Sequence, residues 1–105
     1  MGLYYKSTRN SNLKVTASEA ILKGLAPDGG LFVPSELPKL DVTMSDLKGK
    51  TYQEIAYLVM KQFLTDFTEE ELKNCIDKAY DSKFDTEEIA PLVKVDDTYY
   101  MELFH

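Results

Sequence analysis

Tryptophan is absent from this chain of 105 residues, and cysteine and histidine occur once each. A single cysteine, Cys75, excludes a disulfide framework within the chain and any zinc site built on paired thiolates. A single histidine, His105, excludes a cluster of imidazole ligands and leaves no His-paired nucleophile to assemble, so no metal site is expected. No apolar run approaches the length of a bilayer span, and the start lacks the basic-then-apolar form of a signal peptide. No membrane association is therefore expected, and a cytoplasmic location is the default. Basic residues are outnumbered 12 to 18 by acidic ones, for a net charge of −6, which argues against a nucleic-acid surface. Part of that excess has a structural reading, because Glu69, Glu70 and Glu71 stand where a helix should begin and complement its dipole.

What is present is enough for a core. Hydrophobic residues make up 44% of the chain, which excludes disorder and fits one small domain or a part of a larger one. Leu3–Ser7 reads as a strand, Thr8–Asn12 as a turn or loop, and Leu13–Val15 as a short extended approach to a helix. Thr16-Ala17-Ser18-Glu19 has the form of a capping box, with Ala17, Ala20, Ile21 and Leu25 as an apolar stripe and Gly24 as the stop. A single helical turn over Thr43–Lys48 ends at Gly49. Thr51-Tyr52-Gln53-Glu54 caps the strongest helix, whose stripe of Tyr52, Ile55, Ala56, Val59 and Phe63 is widened by Tyr57, Leu58, Met60 and Leu64. That helix is expected to be buried on more than one side. Thr68-Glu69-Glu70-Glu71 opens another, with Leu72, Cys75, Ile76, Ala79 and Tyr80 inward, and the short connection between the two makes them antiparallel neighbours. Asp85–Glu88 could cap one more turn. Leu92–Val95 and Thr98–Phe104 read as a β-hairpin around an Asp96-Asp97 turn of undetermined type. The ending, apolar almost to its last residue, reads as a chain cut in mid-element. The fold class is α+β: a small, mostly helical domain with a few short β-strands and a C-terminal hairpin.

The most particular stretch is Gly24–Pro34. Pro27 presets φ, Asp28 can bond its own downstream backbone, and Gly29 and Gly30 can take φ > 0 or admit a close backbone approach. Such a turn could present successive amides to an anion, or it could be a structural corner, which is the commoner outcome for a glycine turn without the P-loop lysine. Arg9, beside Ser7 and Thr8, could hold a phosphate or carboxylate through its fork of donors, or stand as a solvated loop arginine. Cys75, on an apolar stripe, is expected to be a small buried hydrophobe. Glu102, between Met101 and Leu103, should face away from them and needs a partner if that face is buried. No complete catalytic set is visible.

Two blocks carry a family resemblance: Tyr4-Tyr5-Lys6-Ser7-Thr8-Arg9, and Ser18-Glu19-Ala20-Ile21-Leu22-Lys23 running into Gly24-Leu25-Ala26-Pro27-Asp28-Gly29-Gly30-Leu31-Phe32-Val33-Pro34. With Ala79-Tyr80 and Glu102-Leu103-Phe104-His105, they make the chain resemble the opening of threonine synthases. Two departures are conservative: Asn10 replaces the usual glycine and tolerates the left-handed region, and Thr16 replaces a serine and keeps the cap.

The resemblance implies a larger, pyridoxal-phosphate-dependent enzyme of the tryptophan-synthase-β type. Such enzymes convert O-phospho-L-homoserine and water to L-threonine and phosphate, with the cofactor as electron sink and a Schiff-base lysine as acid and base. In the family that lysine follows the Glu-Leu-Phe-His run by about seven residues, beyond His105. Residues 1–95 are then expected to be the N-terminal domain and residues 96–105 the start of the catalytic domain. The chain alone should hold no cofactor and no catalytic residue. Its partners would be the remaining domains of its own protein, and in isolation it should self-associate. Arg9, Asp28, Gly29, Gly30 and His105 are the candidates for the mouth of the active site. A threonine-synthase-like phospho-lyase releasing a keto acid fits the same residues, and a stand-alone binding module is the rival of another class.

Overall fold

In the computed structural model residues 2–81 and 88–104 are described. The organising element is β1 (Tyr5–Ser7), which pairs antiparallel with β2 (Asn10–Val15) on one side and β3 (Phe32–Pro34) on the other. Tyr5 faces Val15 and Ser7 faces Asn10, with an irregularity between them, while Tyr5, Lys6 and Ser7 face Pro34, Val33 and Phe32. Pro34 cannot donate to a ladder, and its place in β3 at the sheet's edge suits it. The turn between β1 and β2 is only Thr8–Arg9. Asn10–Asn12, expected to be loop, are strand instead: pairing of Asn10 with Ser7 outweighs their turn propensity. Asn10 does not use the left-handed region either, since among the described residues Asp96 is the non-glycine residue with positive φ.

Helix α1 (Ala17–Lys23) follows β2 directly, and the chain then returns through the Gly24–Leu31 corner to lay β3 on the far side of β1. Among the described residues, the four helices α1, α2 (Met44–Leu47), α3 (Tyr52–Phe63) and α4 (Glu69–Ala79) each begin with a threonine whose side chain accepts from the third helical amide. In each, the acidic side chain at that third position reaches back to the cap. Each box satisfies amides that the first turn would otherwise leave open. Gly24 ends α1 at φ 74°, and Gly49 follows α2 at φ 79°.

The core is small: among the described residues, Val15, Ala17, Ala26, Leu72 and Ile76 are the buried apolar ones. Leu72 and Ile76 pack α4 against α3, Tyr52 and Tyr80 meet with ring centroids 5.0 Å apart, and the Gln53 amide donates to the Tyr80 carbonyl. Three expectations are corrected here. Helix α3 encloses none of its side chains fully; they are half-buried nearly all round, and among the described elements α4 is its main packing partner. Cys75 and Ala79 are exposed, since the packed strip of α4 is as narrow as the Leu72–Ile76 line. Ile21 and Leu25 are exposed as well, leaving Ala17 and Ala20 as the inward face of α1.

Beyond α4, β4 (Leu92–Val95) and β5 (Thr98–Met101) form a separate two-stranded sheet. The second strand stops at Met101, short of Phe104, although the Glu102 amide still reaches the Pro91 carbonyl at 2.9 Å. Asp96 turns the hairpin at φ 56°, without the positive φ at both central residues that a type I′ turn requires. The expected cap at Asp85–Glu88 falls, apart from Glu88, outside the described residues. The radius of gyration is 16.3 Å, against roughly 13 Å for a compact domain of this length, so the elements are spread rather than gathered round one centre.

Candidate functional site

Two turns that are distant in sequence interlock beside β1. Ser7, the last residue of β1, is 3% exposed, and its hydroxyl donates to Asp28 Oδ1 at 2.7 Å while accepting the Arg9 amide at 3.1 Å. The same Asp28 oxygen accepts the Gly30 amide at 3.0 Å, closing the aspartate's own turn. Arg9 Nη1 then donates to the Asp28 carbonyl at 3.0 Å. Next to this ring, Thr8 and Leu31 bond reciprocally, the Thr8 amide to the Leu31 carbonyl and the Leu31 amide to Thr8 Oγ1. Inside the corner, Ala26 accepts from Gly29 and donates to Gly30, both at 2.9 Å.

These bonds decide between the two readings of the glycine turn. The amides of Gly29, Gly30 and Leu31 all donate within the chain, to Ala26, Asp28 and Thr8, so no row of amides is left to cradle an anion. The arrangement is a corner. Its glycines are needed for different reasons. Gly29 sits at φ 84°, whereas Gly30 is buried with an ordinary φ, and a Cβ there would run into the Ser7 hydroxyl, with Thr8 Oγ1 at 3.0 Å and the Arg9 amide at 3.1 Å. Close approach, not a left-handed backbone, is what Gly30 provides.

The electrostatics follow. The Ser7 hydroxyl first, and the Gly30 amide after it, hold the Asp28 carboxyl below its ordinary value of 3.8, because both bonds favour the ionised form. Asp28 is thus an acceptor near neutrality and a poor proton donor. Ser7 is too enclosed to act as a nucleophile. Arg9 is exposed and spends Nη1 on the Asp28 carbonyl, so it is neither a free solvated arginine nor fully committed. His105 lies outside the described residues.

Sequence reasoning did not find the second polar joint. Asp66, in the α3–α4 connection, accepts from the Ser18 amide at 3.2 Å and from the Ser18 hydroxyl. Tyr5 donates its hydroxyl to the Phe63 carbonyl at 2.7 Å, and the Leu3 amide donates to Thr65 Oγ1 at 3.0 Å. The Ser18 bond holds Asp66 below its usual range, while burial, with Asp66's charge beside it, pushes the Tyr5 hydroxyl up. This joint ties the helices to the sheet. An open groove of about 460 Å³ runs alongside it, lined by Ala17, Ala20, Ile21, Leu31 and Phe32 among others. Among the described residues no group of three His, Cys, Asp or Glu stands ready to hold a metal, and no helix is long and apolar enough to cross a membrane.

Residues 4–80 match the family described as threonine synthase N terminus. The chain belongs to the threonine synthase N-terminal family. The matched span contains both interlocked turns and the Ser18–Asp66 joint. The threonine synthase of Schizosaccharomyces pombe is 40% identical over 105 residues, covering 96% of this chain and 20% of that protein. Human threonine synthase-like 1 is 39% identical over 93 residues, covering 84% and 12%. In structure, the PLP-bound threonine synthase of Brucella melitensis superposes with a TM-score of 0.82 at 33% identity, over 99% of this chain and 23% of that one. The chain spans about a fifth of the length of the threonine synthases it matches.

Proposed function

We propose that this chain is the N-terminal part of a threonine synthase, a pyridoxal-phosphate lyase that turns O-phospho-L-homoserine and water into L-threonine and phosphate in the cytoplasm. The observation that carries this reading is the likeness to the Brucella melitensis enzyme along almost the whole chain, at 33% identity. In this reading residues 1–95 are the N-terminal domain and residues 96–105 lead into the catalytic domain, so that β4 and β5 join the two.

The residues present here do not fit the cofactor by themselves. A phosphate needs several converging donors, and the amides of the glycine corner are spent on Ala26, Asp28 and Thr8. Binding the cofactor therefore falls to the remainder of the enzyme, and this chain's part is positional. The corner holds Arg9, Asp28, Gly29 and Gly30 in one rigid group, with His105 further along, at what we take to be the active-site mouth. There the remaining donors of the Arg9 guanidinium would meet the acidic groups of the incoming substrate.

A second reading, a threonine-synthase-like phospho-lyase that releases a keto acid, fits the same residues, and the chain is nearly as similar to human threonine synthase-like 1 as to the Schizosaccharomyces pombe threonine synthase. One assay separates the two. The complete polypeptide, supplied with pyridoxal phosphate and O-phosphohomoserine, should release phosphate and threonine in equal amounts. Phosphate with a keto acid selects the second reading, and absence of phosphate release from a folded complete polypeptide overturns both. The isolated chain should release none.

A further inference from the structure

The hairpin is apolar on both faces. Its register puts Leu92 opposite Met101 and Lys94 opposite Tyr99 on one face, and Val93 opposite Tyr100 and Val95 opposite Thr98 on the other. The six apolar side chains among these are between 39% and 62% exposed. A hairpin that covered a core with one face would alternate apolar with polar along each strand, and this one does not. Among the described residues it is not joined to the three-stranded sheet; β4 and β5 pair with each other, and each keeps an outer edge. Two strands in this state are marginal in water and open to further pairing.

We propose that the β4–β5 hairpin is a buried middle layer, covered on both faces by the C-terminal portion that threonine synthases carry beyond this stretch. The inference rests on the family reading above and adds which surface is covered and how. The occupant follows from three observations. Relatives continue for about four times this chain's length after matching it as their N terminus, which supplies enough chain to lie on two sides. A second copy related by a two-fold axis would bury one face and leave the other in water. The polar end of the hairpin is its Asp96-Asp97 turn, so the tip faces solvent while the strands are enclosed.

Thiol labelling of the complete polypeptide tests this. In a Cys75→Ser background, single cysteines are placed by Val93→Cys on one face, Tyr99→Cys on the other and Asp97→Cys at the tip, and a maleimide is followed site by site by mass spectrometry. The tip should label at the rate of a free thiol and both faces at least tenfold more slowly, all three becoming equal in denaturant. Should Val93→Cys or Tyr99→Cys fail to fold, Thr98→Cys and Lys94→Cys report the same faces from their polar positions. Rapid labelling of either face in an active enzyme overturns the inference, as does protection lost on dilution to monomer, which would assign the cover to a second copy. Phosphate release is read separately, so a failure of the family reading shows as inactivity and a failure of this inference as fast labelling.

Discussion

The corner around Asp28 and the hairpin around Asp96 are both sharp turns flanked by extended chain, yet they are stabilised in opposite ways. At the corner nearly every polar group finds a partner within the chain: Ser7, Arg9, Asp28 and Gly30 close a ring of hydrogen bonds, and the apolar neighbour Ala26 is buried. At the hairpin the backbone is paired but the side chains are not covered. The first is finished within this chain. The second has its secondary structure without the packing that would fix it, and packing rather than hydrogen bonding dominates stability. A small domain can thus be rigid where polar groups interlock and weak where its apolar surface awaits a neighbour.

The comparison is broken most severely at Gly30. Gly30→Val forces side-chain atoms into Ser7, Thr8 and the Arg9 backbone and should cost about 3 kcal/mol in denaturant melts. Gly24→Val meets no atom at its new Cβ, but at φ 74° it should cost about 1 to 3 kcal/mol from backbone strain alone. A Gly30→Val chain as stable as the unsubstituted one would mean that close approach is not what the corner demands. On the proposed function, Gly30→Val in the complete polypeptide should also lower kcat/KM for O-phosphohomoserine by more than the folded fraction accounts for.

Ser7→Ala comes next. It removes the buried hydroxyl that links the Arg9 amide to the Asp28 carboxylate and should destabilise by about 1 to 2 kcal/mol. A neutral result would mean that the ring contributes nothing beyond its backbone turns.

The aspartate adds a pH signature. Its folded pKa is lowered below 3.8, by the Ser7 hydroxyl first, so its contribution is fully present above the unfolded value and is lost as pH falls through the folded one. Thermal midpoints of the unsubstituted chain and of Asp28→Asn should therefore differ most near neutrality and converge as the pH drops below the normal carboxylate range. A gap constant down to pH 2 would remove the charge from the account.

The smallest effect belongs to the hairpin of this chain alone. Val93→Ser or Tyr100→Ser should change its stability by less than about 0.5 kcal/mol, because neither side chain has a core to leave. A large loss would show that the hairpin is already packed.

What the sequence made legible was local. The starts of α1, α3 and α4 could be read from a threonine and a glutamate three positions later, since both halves of a capping box lie within one turn; at α2 the cap was open between Thr43 and Ser45, and Thr43 takes it with Asp46. The corner was visible in Pro27, Asp28 and the two glycines, and so was the Asp28-to-Gly30 bond. Its other half was not: Ser7 is 21 residues from Asp28, and a serine at a strand end looks like many others until the fold brings the two together. The Ser18–Asp66 joint, 48 residues apart, was hidden for the same reason. Burial was misjudged where a stripe is wider than its neighbour, as at Cys75 and along α3, because periodicity reports which faces could be buried and not how much partner surface is there. The family resemblance, carried by the two N-terminal blocks, was legible at once.

Amide hydrogen exchange on this chain alone puts the contrast to the test most directly. The account predicts that the amides of Gly29, Gly30 and Leu31 are protected at the corner, while those of β4 and β5 exchange at nearly the rate of an unfolded peptide. Protection of the hairpin equal to that of the corner, or a corner that exchanges as fast as the hairpin, would contradict it.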